Sequence, residues 1–98
     1  MTLTAENVLG NGRTYFSSNY PNPFERETTI DLFIENNVKE AKIVIYDSNG
    51  STITKYDIKQ RNIETKLTIP KNNLESGVYF YTLIADDIVI GTKKMIVR

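Results

Sequence analysis

The sequence predicts an all-β domain, an immunoglobulin-like antiparallel β-sandwich of about seven strands. Three observations predict it. Apolar residues recur at every second position in several short runs, the period of a strand with one buried face. These runs stand about ten residues apart and are joined by Gly, Asn and Asp, which is sandwich or barrel spacing. Helix signals are nearly absent, with only "NNLES" at residues 72–76 suited to a single 3₁₀ turn.

The elements follow in order. Residues 1–18 read as a lead-in, with loop chemistry at "GNG" and a candidate first edge strand at "TYFSS"; the domain proper reads as residues 19–98. In "TTIDLFI", Ile30, Leu32 and Ile34 share one face, and Thr29, Asp31 and Phe33 the other. "AKIVIYD" sets Ala41, Ile43 and Ile45 on one face. "DSNG" then turns the chain, since Asn49 and Gly50 both tolerate positive φ. "STITKYDI" is polar enough for an edge. "IETKLTI" alternates Ile63, Thr65, Leu67 and Ile69 against Glu64, Lys66 and Thr68, and Pro70 ends it by removing a ladder donor. "VYFYTLIA" is the most apolar run and reads as a central strand covered on both faces. Asp86-Asp87 turns it into "IVIGTKKMIVR".

Composition narrows the chemistry. A chain of 98 residues suits one domain. Twelve basic residues balance twelve acidic ones, so no general electrostatic attraction to nucleic acid or an anionic membrane is expected. Without Cys there are no disulfides; without His the commonest general base and metal ligand are missing. No apolar run approaches the ~20 residues of a membrane-spanning helix, and the start of the chain does not read as a signal peptide. No catalytic constellation is arranged by spacing, so the expectation is a protein that is not an enzyme and needs no cofactor.

The least ordinary stretch is "NYPNPF", residues 19–24. Pro21 and Pro23 fix their own φ and push Tyr20 and Asn22 away from the helical region. The expected conformation is an extended or polyproline rod along an edge, with Tyr20 and Phe24 as pegs in the core. A stiff lead into the first strand is the favoured role, ahead of a ligand for an aromatic groove. Elsewhere, "DSNG" lacks the distal acid of a calcium loop and reads as a hairpin. Asp86-Asp87 reads as an exposed tip. Tyr79 and Tyr81 share a buried face, where a hydroxyl can anchor a loop; a sugar-stacking role would require them exposed. Phe33 is the candidate exposed aromatic. Adjacent Lys93 and Lys94 must point to opposite faces of their strand, as edge protection or as a recognition feature.

Taken in order, "NYPNPF…TTIDLFI", "KIVIYDSNG", "LESGVYFYTLIADD" and the closing "TKKMIVR" resemble the C-terminal sorting domains of the type IX secretion system of Bacteroidetes, especially those of tail-fibre-like surface proteins. The resemblance covers about residues 20–98 and implies an immunoglobulin-like sandwich at the end of a secreted or surface protein. It implies recognition by an outer-membrane translocon after passage through the periplasm. It also implies removal by a sortase-like peptidase, with attachment of the N-terminal cargo to lipopolysaccharide as one outcome. By position, the family's Pro-Asn-Pro element falls on Pro21, Asn22 and Pro23, with Tyr20 and Phe24 flanking. Its Gly-x-Tyr element falls on Gly77 and Tyr79, and its terminal strand on residues 93–97, including Lys93 and Lys94. Asp86-Asp87 departs from the Asp-Gly of relatives, and cleavage would fall within residues 1–18. The rival expectations are an adhesion or carbohydrate-binding module and, as a third, a flagellar-hook capping module.

Overall fold

The computed structural model describes residues 13–98. Among them, seven strands form a β-sandwich of two antiparallel sheets, with no helix. They are β1 (Tyr15–Phe16), β2 (Glu27–Phe33), β3 (Ala41–Asp47), β4 (Thr52–Asp57), β5 (Thr65–Pro70), β6 (Gly77–Ala85) and β7 (Ile88–Val97). The three-stranded sheet runs β1-β2-β5 and the four-stranded sheet β4-β3-β6-β7.

Period two becomes burial. Ile30 and Leu32 of β2, Ile43 and Ile45 of β3, Ile69 of β5, Tyr81 and Leu83 of β6, and Met95 and Val97 of β7 meet between the sheets and are essentially closed to solvent. Each aliphatic side chain so buried contributes about 1.5–3 kcal/mol before the cost of ordering. Leu67 is only half-buried against this core, because β5 is a sheet edge with no strand beyond it among the described residues. The polar strand β4 is likewise an edge. Strand β6 is interior, between β3 and β7, but its outward Phe80 and Ile84 are half-buried rather than fully covered.

Three expectations are corrected, at Ile63, Phe33 and Asn49, and two turns form where they were expected. Ile63 does not continue the β5 alternation: Asn62 at φ 60° turns the chain just before it, and Ile63 is 59% exposed. Phe33 is 8% exposed, not an open aromatic, because Tyr15 stacks on it at 5.9 Å and the Arg13 guanidinium lies 5.1 Å from its ring centre. At "DSNG" only Gly50 takes positive φ (86°). The Asp47 carboxylate organises that loop by accepting the Asn49 and Ser51 N–H groups, each at 2.9 Å. "NNLES" forms one turn, closed by the Leu74 N–H donating to the Lys71 carbonyl at 2.8 Å. Asp86 and Asp87, at φ 49° and 67°, make the tight β6–β7 hairpin with both central residues left-handed, as a type I′ turn demands.

Candidate functional site

The site begins where the chain leaves one sheet for the other. Tyr20 exchanges two backbone hydrogen bonds with Thr29 of β2, at 2.9 and 2.8 Å, and so extends the edge of the three-stranded sheet beyond β1. Four residues later the Phe24 N–H donates to the Ile96 carbonyl at 3.0 Å, and the Arg98 N–H donates to the Phe24 carbonyl at 2.9 Å. That is a parallel rung on the free edge of β7. Residues 20–24 therefore cross from one sheet edge to the other.

This geometry corrects the expected rod. The chain bends at Pro21, Asn22 and Pro23, and the peptide bonds before Pro21 and before Pro23 are both cis. A straight segment on one edge would not reach both Thr29 and Ile96.

Neither proline has an N–H to offer β7. Asn22, between them, supplies the missing groups from its side chain. Its Oδ1 accepts the Ile96 N–H at 2.8 Å, and its Nδ2 donates to the Lys94 carbonyl at a longer 3.4 Å. A carboxamide is chemically a peptide unit, so Asn22 stands in for one residue of a neighbouring strand. With the Phe24 rung, four backbone groups of the β7 edge that would otherwise face solvent are paired.

The flanking aromatics behave differently. Phe24 is buried in the core at 1% exposure, as expected of a peg. Tyr20 is 43% exposed and is not one. It lies opposite Thr29 on the outward face of its sheet, and paired residues share a face. Its hydroxyl donates to Asp31 Oδ1 at 2.6 Å and accepts from Lys66 Nζ at 3.0 Å, while Lys66 and Asp31 pair at 2.8 Å. Hydrogen bonds from Lys66 and then Tyr20 hold the Asp31 carboxyl below its ordinary range. Behind the crossing, buried Asn19 donates to Thr28 Oγ1 at 3.0 Å, and that hydroxyl donates to the Pro21 carbonyl at 2.8 Å. Asn19, Thr28, Asp31 and Lys66 escape a reading of local pattern; the only signal was that Asp31 and Lys66 fell on polar faces, and only the β2–β5 register makes them neighbours.

The other motif residues flank the same strand. Gly77 pairs with Val97 and Tyr79 with Met95, on the side of β7 opposite the crossing. Gly77 holds φ 154°, which side-chain-bearing residues rarely adopt, although a Cβ there would meet no atom. The Tyr79 hydroxyl donates to the Glu75 carbonyl at 2.8 Å, anchoring the loop before β6. The Tyr81 hydroxyl donates to the Ser17 carbonyl at 3.0 Å, and burial pushes its phenol up to about 12. Both rings are buried, so neither offers a face to a sugar. Lys93 and Lys94 do take opposite faces. Lys94 is exposed on the outer face, and its carbonyl receives Asn22. Lys93 pairs with inward-facing Tyr81 and sets its ammonium 5.1 Å from the centre of the Phe16 ring. Phe16 in turn meets Tyr81 edge-on at 5.7 Å.

The arrangement defines a small β-sandwich module whose last strand is gripped by a crossing segment about seventy positions upstream in the chain. The sequence matches the family of secretion system C-terminal sorting domains over residues 18–98, and the chain belongs to that family, the sorting signals of type IX secretion. Comparison with curated proteins gives no match. Membership implies that the parent protein is exported or surface-attached and that the domain interacts with the type IX system.

Proposed function

We propose that this chain is the non-catalytic export signal of a longer protein, presented folded to the outer-membrane translocon and removed afterwards by a sortase-like peptidase. The cargo would lie N-terminal to it, and cleavage would fall within the lead-in of residues 1–18, upstream of β1. The surface read by the translocon is the corner where residues 20–24 meet the outer side of β7. One observation carries this reading: Asn22 of the Pro-Asn-Pro element bonds directly to the backbone of the terminal lysine-bearing strand, at Lys94 and Ile96. Two motifs far apart in sequence thereby become a single surface, with Pro21, Pro23, Lys94 and Arg98 exposed on it. A receptor that bound this corner would test whether the domain has folded, because the surface exists only once β7 is in place.

The test is a fusion of residues 2–98 to a periplasmic reporter in a cell with a functional type IX system. The reporter should reach the outside, and should stay in the periplasm when the translocon is deleted. Retention in both strains would overturn the reading in favour of an adhesion or carbohydrate-binding module.

A further inference from the structure

Strands β3, β6 and β7 run from the crossing to the other end of the sandwich. There the β2–β3 connection, β4 and the chain after it enclose a cleft of about 490 Å³. That volume lies in the range of small-ligand sites. Four lysines line it: Lys39 before β3, Lys42 on β3, Lys55 on β4 and Lys59 after β4. Glu40, Asp57 and Asp87 line it too. The ion pairs among the described residues are Lys66 with Asp31 and Arg98 with Glu25, so none of the four ammonium groups has an ion-pair partner, even with three carboxylates in the same cleft.

A fifth cation, Arg61, also lines the cleft, but its guanidinium is committed to backbone. It donates to the carbonyls of Val38 at 2.8 Å, Ile58 at 2.7 Å, Gln60 at 2.9 Å and Lys39 at 3.0 Å. From the other side, the Asp86 carboxylate accepts the N–H groups of Lys39 at 3.0 Å and Glu40 at 2.9 Å. Two charged side chains are thus spent on fixing the wall that carries Lys39 and Glu40. A wall ordered beforehand lowers the entropy cost of binding.

We infer that this cleft binds an anionic sugar, a saccharide carrying a phosphate or a carboxylate. With Arg61 held on backbone and set against Asp86, the four lysines against the three lining carboxylates leave the cleft with a net positive charge on a chain whose total charge is zero. Like charges gathered in a concave site attract a counter-ion. Free lysines, with Arg61 withdrawn, offer point charges suited to phosphate or carboxylate oxygens, not the planar fork of arginine. The carboxylates are acceptors for hydroxyl groups. No aromatic side chain lines the cleft, so a neutral sugar finds no stacking face.

The experiment is amide-resolved NMR of the intact chain at low ionic strength, titrated separately with glucose 1-phosphate, glucuronate, inorganic phosphate and glucose. Saturable shifts confined to residues 38–42, 55–61 and 84–87 are expected with both charged sugars and none with glucose. Inorganic phosphate should bind about tenfold more weakly than glucose 1-phosphate, because it cannot use the hydroxyl acceptors. Lys42→Ala combined with Lys55→Ala should weaken the charged sugars by about tenfold with the melting temperature unchanged. The inference is overturned by the absence of saturable shifts with either charged sugar, by equal shifts with glucose, by phosphate binding as tightly as the sugar phosphate, or by a double variant that binds as the parent does. None of these outcomes bears on sorting, since the crossing lies at the opposite end of β7.

Discussion

Replacing Asn22 with Ala leaves the prolines and the two backbone rungs in place and deletes only the side-chain rung on β7. Two hydrogen bonds are lost, a good one to the Ile96 N–H at 2.8 Å and a long one to the Lys94 carbonyl at 3.4 Å. Asn22 is exposed, so water can replace the lost partners, and the cost should be about 0.5–1.5 kcal/mol in total. For a domain of this size a loss of 1 kcal/mol lowers the melting temperature by roughly 4–8 °C. Hydrogen exchange localises the effect. The Ile96 amide should lose protection, while Arg98, whose N–H is held by the Phe24 carbonyl, should keep more of its own. Asn22→Asp is the control: a carboxylate still accepts from Ile96 but cannot donate to Lys94, so Ile96 should remain protected. Unchanged protection of Ile96 in Asn22→Ala would refute the view that this side chain completes the edge of β7.

Three further outcomes follow from the same geometry. Ile45→Ala, at a fully closed core position, should cost about 2–5 kcal/mol by denaturant unfolding; a loss within the range of surface substitutions would show that the sandwich core is wrongly assigned. Lys94→Ala should reduce export of a fused reporter at a nearly constant melting temperature, whereas Lys93→Ala should cost about 0.5–1 kcal/mol through its contact with Phe16; full export in Lys94→Ala would leave that lysine an edge-protecting role alone. Asp86 has its carboxyl held below the ordinary range by the Glu40 and Lys39 N–H groups, so its contribution is present above that range and is lost as pH falls through the depressed value. Asp86→Asn should therefore be less stable than the parent near neutral pH, with the gap closing in acid; a gap independent of pH would remove the charge from the explanation.

The sequence alone determined the β architecture, most of the core and the family. Ile30, Leu32, Ile43, Ile45 and Ile69 announce their buried faces because alternation is a property of a strand by itself, readable within a few residues. Asp86-Asp87 and Gly50 announce turns for a similarly local reason, tolerance of positive φ. Which edges meet was decided only by tertiary structure. Tyr20 and Phe24 flank the same prolines, yet one faces solvent and the other the core, because each takes its orientation from a different sheet. Phe33 sits on a polar face and is nevertheless covered by Tyr15 of β1 and by Arg13 just before that strand, a stretch that local pattern barely marks. Lys93 and Lys94 look equivalent until pairing with Tyr81 turns Lys93 inward over Phe16. Asn22 completes a strand more than seventy residues away, and nothing within its neighbourhood encodes that partner. Edge hydrogen bonds are satisfied by whatever backbone or amide the fold brings alongside, so their partners follow from the packing of the two sheets and not from any local run of residues.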